Sequence, residues 1–415
     1  MSSNQNTDNR YYKQQRWLAA HNGWNTTPPL NNQCFTITQL LDYGVRGFAL
    51  DIWGSDETSL YLQHGPKNPV SSTPWKKVRD ELKTWLDTHT TEIVTLFFES
   101  YLTGPKPGQT QPSPLAALDT SLRGIGCYKS GKAVQEDAIL KRNFSYLING
   151  TDEQGNVVTT PQRLFAFIEK EPDEGVQYLF PVMRKNFAEN GYGDGSLKPG
   201  SWTELRGDSS RTNPLTFLNH FGNNPTGSEW NRNNPDLICK HARDFLFNFG
   251  GRYPNFLSLD YINWNTENPG PIEAAKLLQS QPDLKVTPFK WAGKNKVQNS
   301  FDDVDVFISD KRINDFQVEI GQGQGIIKIK PVTTGAQIII KGIQLVNVPG
   351  YGVVNMRIQT GNGWGKWLAP DSFEKITDIK DPNLAHHVIS GTLVGFCCRT
   401  SSGYGVVDFA AACLP

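Results

Sequence analysis

The first 280 residues alternate between two hydrophobic periods. Short, mostly apolar runs recur at Arg16–Asn22, Val45–Trp53, Ser59–Gly65, Glu92–Tyr101, Arg163–Lys170, Tyr178–Lys185, Leu215–Phe221 and Asn255–Asn263. Their lengths suit buried strands. Between them, Phe35–Tyr43 and Trp75–Leu86 carry apolar residues at helical spacing. In the second, Trp75, Val78, Leu82, Trp85 and Leu86 share one face. Trp230–Phe249 reads as a further helix whose start is marked by Pro235. Strand–helix alternation predicts a parallel sheet, and about eight strands predict an irregular TIM-type barrel, an α/β fold.

The pattern changes after Gln281. Lys294–Ser300 is polar and linker-like. From Phe301 onward the period becomes that of short alternating strands, as in Ile326–Lys330, Gln337–Val348, Val353–Thr360 and His387–Cys398, punctuated by glycine turns. We therefore expect a catalytic barrel over residues 1–285 and a smaller all-β, sandwich-like domain over residues 295–415. Thr103–Pro114, rich in glycine, proline and glutamine, reads as a surface loop.

Charge adds an exclusion. Lysine plus arginine balance aspartate plus glutamate, 41 against 41, so no overall field draws the chain to nucleic acid or to an anionic membrane. Six cysteines, with Cys397 and Cys398 adjacent, lack metal-type spacing and read as free buried thiols. The polar start Met1–Gln5 does not resemble a secretory signal, although an extracellular location is preferred, and no run is suited to cross a bilayer. A monomer is expected.

The chemistry gathers at strand ends. His21 and Asn22 end the first run, Asp51 lies near the end of the second, His64 ends the third, and Glu99 ends the fourth. A parallel barrel presents such ends to its active-site mouth. Two histidines there can take and give a proton near neutral pH. Asn22, Asp51 and Glu99 are oxygen donors of the kind that a hard cation such as calcium needs. Taken singly, each has a structural reading: a satisfied core histidine, a helix-capping aspartate, a paired glutamate. The order and spacing of all five favour a site.

These residues resemble the catalytic X region of phosphatidylinositol-specific phospholipase C. The resemblance runs over about residues 15–280 in ordered blocks. Ala20-His21-Asn22, Gly44-Val45-Arg46-Gly47, Leu50-Asp51 and His64 look like the family signature, and Glu92–Leu96 with Glu99 and Tyr101 like its next block. Later blocks are Glu189–Gly193, Leu215–Phe221 and Arg252–Tyr261. The resemblance implies a barrel that cleaves phosphatidylinositol at a membrane surface into diacylglycerol and a cyclic inositol phosphate. It implies His21 as general base or as stabiliser of the phosphorane-like transition state, His64 as general acid, and Asp260 as the carboxylate orienting His21. Asn22, Asp51 and Glu99 would hold calcium. Lys170, with Arg206 or Arg184, would contact phosphate or inositol hydroxyls, and Tyr261 would stack on the ring.

Two positions depart from the family. Calcium-dependent members often carry a glutamate where Ala49 stands, and metal-independent members an arginine where Trp53 stands. With a carboxylate at Glu99 and no arginine at 53, calcium remains the expectation. Ala49 also breaks the glutamate-x-aspartate pair of glycerophosphodiesterases and sphingomyelinase D-type enzymes, the competing enzyme reading. A catalytically dead binding barrel is the other competitor, and the two retained histidines count against it. Trp24 and Trp264 are expected as aromatic lipid contacts at the mouth.

Overall fold

Nine strands of the barrel region join one sheet. They are β1 (Trp17–Ala20), β2 (Val45–Gly54), β3 (Tyr61–Leu62), β4 (Thr73–Pro74), β5 (Val94–Leu102), β6 (Leu164–Ile168), β7 (Phe187–Glu189), β8 (Leu215–His220) and β9 (Phe256–Leu259). The structure is a computed structural model. It describes residues 10–28, 31–65, 72–102, 113–169, 178–193, 204–223, 232–262, 270–287, 303–321, 326–335, 338–348, 352–368, 383–401 and 405–414. The strands β6-β5-β2-β1-β9-β8-β7 lie side by side in that order, all parallel. An isolated parallel bridge from Ile168 to Val182 lies between the two edges. There Phe167 of β6 also meets Phe187 of β7 edge-on, with ring centroids 5.1 Å apart. The sheet thus curls as a barrel does, in the mixed α/β class that the alternation predicts.

Seven helices accompany the strands among the described residues: α1 (Ile37–Tyr43), α2 (Trp75–Thr88), α3 (Pro114–Arg123), α4 (Lys132–Lys141), α5 (Met183–Asn186), α6 (Pro235–Asn248) and α7 (Gly270–Gln279). Helix α1 starts at a Thr36–Gln39 capping box and stops at Gly44, whose φ of 109° is left-handed. Helix α2 buries Trp75, Val78, Leu82, Trp85 and Leu86, the face read from the sequence. Helix α6 begins at Pro235.

Two expected barrel strands turn out otherwise. In Ser59–Gly65 only Tyr61–Leu62 form a strand, and it runs antiparallel to the end of β2. The cause is the ten-residue length of β2, which leaves Ile52 and Trp53 free to pair with Leu62 and Tyr61. Tyr178–Lys185 runs into α5, and the strand follows as β7, three residues that no apolar run announces.

The interior is set by the two-residue period of the strands. Phe97, Phe167, Phe187, Phe217 and Phe256 come from five different strands and meet in one buried cluster, with Ala19 beside them. The ring of Phe97 touches the other four at centroid distances of 4.9–5.7 Å. Below this layer Tyr12 plugs the barrel, its hydroxyl 2.7 Å from Thr95 Oγ1. Each buried phenylalanine stabilises the fold by roughly 1.5–3 kcal/mol.

By its contacts the chain divides into two units. One holds the described residues of Met1–Gly193, Leu205–Ile238 and Pro254–Ser280, and the other those of Asp194–Glu204, Cys239–Tyr253 and Gln281–Pro415. The second unit contains β10 (Lys285–Val286), β11 (Asp303–Ile308), β12 (Asp315–Ile320), β13 (Ile326–Val332), β14 (Gly342–Val348), β15 (Gly352–Thr360), β16 (Gly363–Trp364), β17 (Asn383–Val388), β18 (Thr392–Ser401) and β19 (Gly405–Leu414). They form two four-stranded antiparallel sheets, β10-β19-β18-β11 and β16-β15-β14-β17, and a β12–β13 hairpin. Phe316, Ile343, Met356, Phe396 and Phe409 bring all three into one core. The single run His387–Cys398 is two strands, broken at Gly391, where φ is 118° and a Cβ would meet the Leu414 carbonyl oxygen at 2.2 Å. Inside this unit Asp244 of α6 is fully buried within 3.7 Å of Cys397 Sγ, and burial pushes its carboxyl up to about 7. The six cysteines are free, with Cys34 exposed and the others buried.

Gly47 allows the close approach of β1, β2 and the aromatic layer. A Cβ there would lie 2.8 Å from both the Ala19 Cβ and the Phe256 ring. We expect Gly47→Ala to lower unfolding free energy by about 1–3 kcal/mol, the usual cost of overpacking. Urea denaturation of the two proteins checks this, and equal midpoints would contradict it.

Candidate active site

The polar mouth follows from the aromatic layer by counting two residues along each strand. Phe97 is followed by Glu99, Phe167 by Glu169, Phe187 by Glu189, Phe217 by Asn219, Ala19 by His21 and Ala49 by Asp51. Inward residues recur at i and i+2, so a buried phenylalanine on a strand commits the second residue after it to the same interior. His21, Asn22, Asp51, His64, Glu99, Glu169, Tyr192, Arg206, Asn219 and Phe221 line one cleft of about 320 Å³ over the layer. Asp51 and Glu99 are register partners on β2 and β5.

Each histidine is held by a carboxylate. His21 Nδ1 lies 2.9 Å from Asp260 Oδ1 on the residue just past β9, which also accepts from the Asn32 amide at 3.0 Å. With Nδ1 engaged, Nε2 is left for a proton transfer. The Gln33 side chain donates to the His21 and Leu259 carbonyls, clamping the strand ends together. His64 reaches the mouth by a different route from the one expected, since it follows β3 of the hairpin rather than a parallel strand. The Gln63 N–H donates to the Asp51 carbonyl at 3.2 Å. That bond brings His64 Nδ1 to 2.7 Å from Asn22 Nδ2 and 3.5 Å from Asp51 Oδ2. Hydrogen bonding to Asp51, helped by the charges of Asp51, Asp260 and Glu99, raises the His64 pKa against the effect of burial.

Asn22 sits at φ 45°, a left-handed conformation that asparagine tolerates better than most residues. Its Nδ2 faces His64, and its Oδ1 is buried without a partner. Beside it, Glu99 has a raised pKa from burial and from the neighbouring charges of Glu169 and Asp51. A buried acceptor lacking a donor and a carboxylate crowded by others are the marks of a place that suits a cation. Asn22, Asp51 and Glu99 therefore fit a hard, oxygen-seeking ion. Among the described residues no group of three His, Cys, Asp or Glu is arranged as a metal site, so any ion relies on the Asn22 oxygen and on water.

The cation that is present is Arg206. Its guanidinium pairs with Glu189 at 2.9 Å, Glu169 at 3.0 Å and Glu99 at 3.4 Å, and lies 4.6 Å over the Tyr192 ring. Burial lowers its pKa, but the carboxylates outweigh that and the net shift is upward. Arg184 is off the cleft lining, bonded to Glu169 at 2.5 Å and near Asp208 at 3.6 Å. Tyr261, only 2 % exposed, is also off the lining and presents no ring to the cleft. Its φ of 48° turns the chain away just past β9, where the Asn233 amide takes its carbonyl. Trp24, 5 % exposed, is a core residue rather than a lipid contact. Lys170 and Trp264 lie outside the described residues. Reasoning from sequence overlooked Glu169 as a site residue and assigned no role to Glu189, Tyr192, Asn219 or Phe221. The signal for the first was available: Phe165-Ala166-Phe167-Ile168-Glu169 repeats the aromatic-x-glutamate step of Phe97-Phe98-Glu99.

No protein-family profile matches the chain. A PI-PLC X domain-containing protein of Arabidopsis thaliana is 27% identical over 265 residues, 59% of this chain. The chain is thus similar to PI-PLC X-domain proteins. The chain spans only 57% of that relative's length. Among solved structures, a mutant of the phosphatidylinositol-specific phospholipase C of Staphylococcus aureus is similar at 11% identity, covering 66% of this chain and 95% of that one, with a TM-score of 0.45. The phosphatidylinositol-specific phospholipase C of Listeria monocytogenes is similar at 13% identity over 65% of this chain and 94% of that one, with a TM-score of 0.39. His21, Asn22, Asp51, His64 and Glu99, the residues that resemble the X-domain signature, all line the cleft.

Removing Arg206 would leave Glu189, fully buried, without a counter-charge, and Glu169 with Arg184 alone. Arg206→Met should cost about 3–5 kcal/mol of stability at pH 7, the penalty for breaking a buried pair. The deficit should shrink in acid, where protonation removes the uncompensated negative charge. Urea unfolding of both proteins at pH 7 and pH 4.5 tests this; an unchanged or larger deficit at the lower pH would refute it.

Proposed function

We propose that this protein is a phospholipase C that cleaves the phosphodiester of phosphatidylinositol by histidine acid–base chemistry. The observation that supports it most is that His21 and His64 open onto one cleft, each backed by its own carboxylate. In this reading His21 Nε2 takes the proton of the inositol 2-hydroxyl. The freed oxygen attacks phosphorus, and the bond to the diacylglycerol oxygen breaks. His64 gives that oxygen its proton, and the products are diacylglycerol and a cyclic inositol phosphate. Asp260 holds the His21 tautomer and balances the imidazolium that forms. Arg206, Glu169 and Asn219 offer donors and acceptors that suit a polyhydroxylated ring. One chain carries every group this chemistry uses.

Charge supports a calcium ion in the same reading. Asp51, Glu99, Glu169 and Glu189 outnumber the arginine they surround, whereas a phosphodiester is itself an anion. Asn22, Asp51 and Glu99 would hold the ion, with water in the place left by Ala49. When bound, it would neutralise phosphate charge and acidify the attacking hydroxyl. Among the described residues no helix is long and apolar enough to cross a membrane, so contact with the lipid would be peripheral.

Phosphorus NMR of phosphatidylinositol vesicles tests the chemistry. We expect a cyclic inositol phosphate resonance from the native protein, and a rate lower by about 10²–10⁴ for His21→Ala and for His64→Ala with the fold retained. Native-like turnover in either variant would remove that histidine from the mechanism.

The ion has its own test. Calcium titrated into the protein should release heat with a stoichiometry near one site, and Asp51→Asn should weaken it. Turnover should stop on chelation and return with calcium. Chelator-resistant turnover with no calorimetric signal would dispose of the ion.

A further inference from the structure

We infer that Phe221 is a positioning residue for His21. This rests on His21 acting as the base, as proposed above. The Phe221 ring lies parallel to the His21 imidazole, with centroids 3.7 Å apart and planes 7° apart. Phe221 is 3 % exposed and is reached from Phe217 and Asn219 by the same inward period that sets the rest of the mouth.

Geometry explains why a second hold on His21 is needed. Asp260 engages only Nδ1. A ring tied at one nitrogen still swings about that bond, and the swing carries Nε2 sideways. A flat partner against one face removes this freedom and leaves the Nδ1–Asp260 bond intact. Reacting groups must be held to a fraction of an ångström for full effect.

Phe221 is itself braced. Its carbonyl accepts from the Gly193 N–H at 3.1 Å. Gly193 has φ 100°, and a Cβ there would fall 2.2 Å from Asn223 Oδ1, so only glycine lets this loop come so close. Tyr192 stacks on Phe221 at 5.5 Å and carries Arg206 over its own ring. The stack His21–Phe221–Tyr192–Arg206 thus ties the orientation of the base to the carboxylate cluster on the opposite strands.

The test uses the full chain with three substitutions, Phe221→Leu, Phe221→Met and Phe221→Tyr. The first readout needs no activity. Carbon–proton NMR of the histidine rings, with His21 assigned by its loss in His21→Gln, should show the His21 ring protons displaced upfield in the native protein by the Phe221 ring current. They should move downfield in Phe221→Leu and Phe221→Met and stay put in Phe221→Tyr. The second readout is turnover of a soluble inositol-phosphate ester. We expect kcat to fall about 10–100-fold in the leucine and methionine variants with KM little changed, and to be near native in the tyrosine variant. Far-ultraviolet circular dichroism establishes which variants fold; the methionine variant, closest in volume, keeps the test open if leucine does not. Unchanged His21 proton shifts in a folded leucine or methionine variant would overturn the inference. A rise in KM with kcat intact would overturn it too, by making Phe221 a substrate contact. If the native protein does not turn over the ester, the acid–base reading fails, while the ring-proton result still decides whether Phe221 holds His21.

Discussion

The two-residue period of the barrel strands, pinned by a buried layer of five phenylalanines, is the constraint on which the site depends. Phe97, Phe167, Phe187, Phe217 and Phe256 cannot leave the interior without exposing their rings. The pleat then leaves no choice for their neighbours: Glu99, Glu169, Glu189 and Asn219 must face the same way, one step nearer the strand ends. Hydrophobic burial thereby forces carboxylates into a half-buried mouth that none would enter unaided. The energy that holds the charged groups in place is spread over the aromatic layer below them.

That crowding has electrostatic consequences. Glu189 is fully buried, and Glu169 is 9 % exposed on its side chain. Arg206 enters from outside the strands and binds three carboxylates at once. The guanidinium suits this because it is planar and offers five donors, whereas a lysine offers one point charge. Even so, the carboxylates stay in excess, and burial together with the charges of Glu169 and Asp51 raises the Glu99 pKa. The cleft thus holds surplus negative charge beside a buried Asn22 oxygen that has no partner. The same surplus raises the His64 pKa through Asp51.

The two histidines are fixed by different architecture. His21 continues a barrel strand, and its backbone N–H still bonds to the Leu259 carbonyl on β9. His64 hangs from a short hairpin attached to the overlong end of β2, steadied by the Trp53 indole donating to the Gln63 carbonyl. A strand inside a packed sheet is among the most rigid parts of a fold, and a two-residue hairpin at its rim is less so. His21 sits on the rigid element and His64 on the more adjustable one.

Much of this was legible in the sequence. Apolar runs and helical faces located β1, β2, β5, β6, β8 and β9 and the buried face of α2, because those patterns reflect burial directly. His21, Asn22, Asp51, His64 and Glu99 were named from strand ends and their order, and Arg206 from the resemblance alone; the fold gathers all six at one cleft. The sequence also carried the period that makes Glu169 inward, though nothing local said which phenylalanines share a layer. Other features were decided only in three dimensions. β7 is a strand of three residues because β8 offers it a partner, and pairing of that kind has no local signature. Tyr261 and Trp24 carry side chains suited to a mouth, yet packing buries both. Asp260 was expected to meet His21 across more than two hundred residues of chain, but Phe221 was not. A carboxylate beside a histidine is chemistry that composition suggests, while a ring lying 3.7 Å over another depends on how two strands and a glycine-bearing loop close on each other.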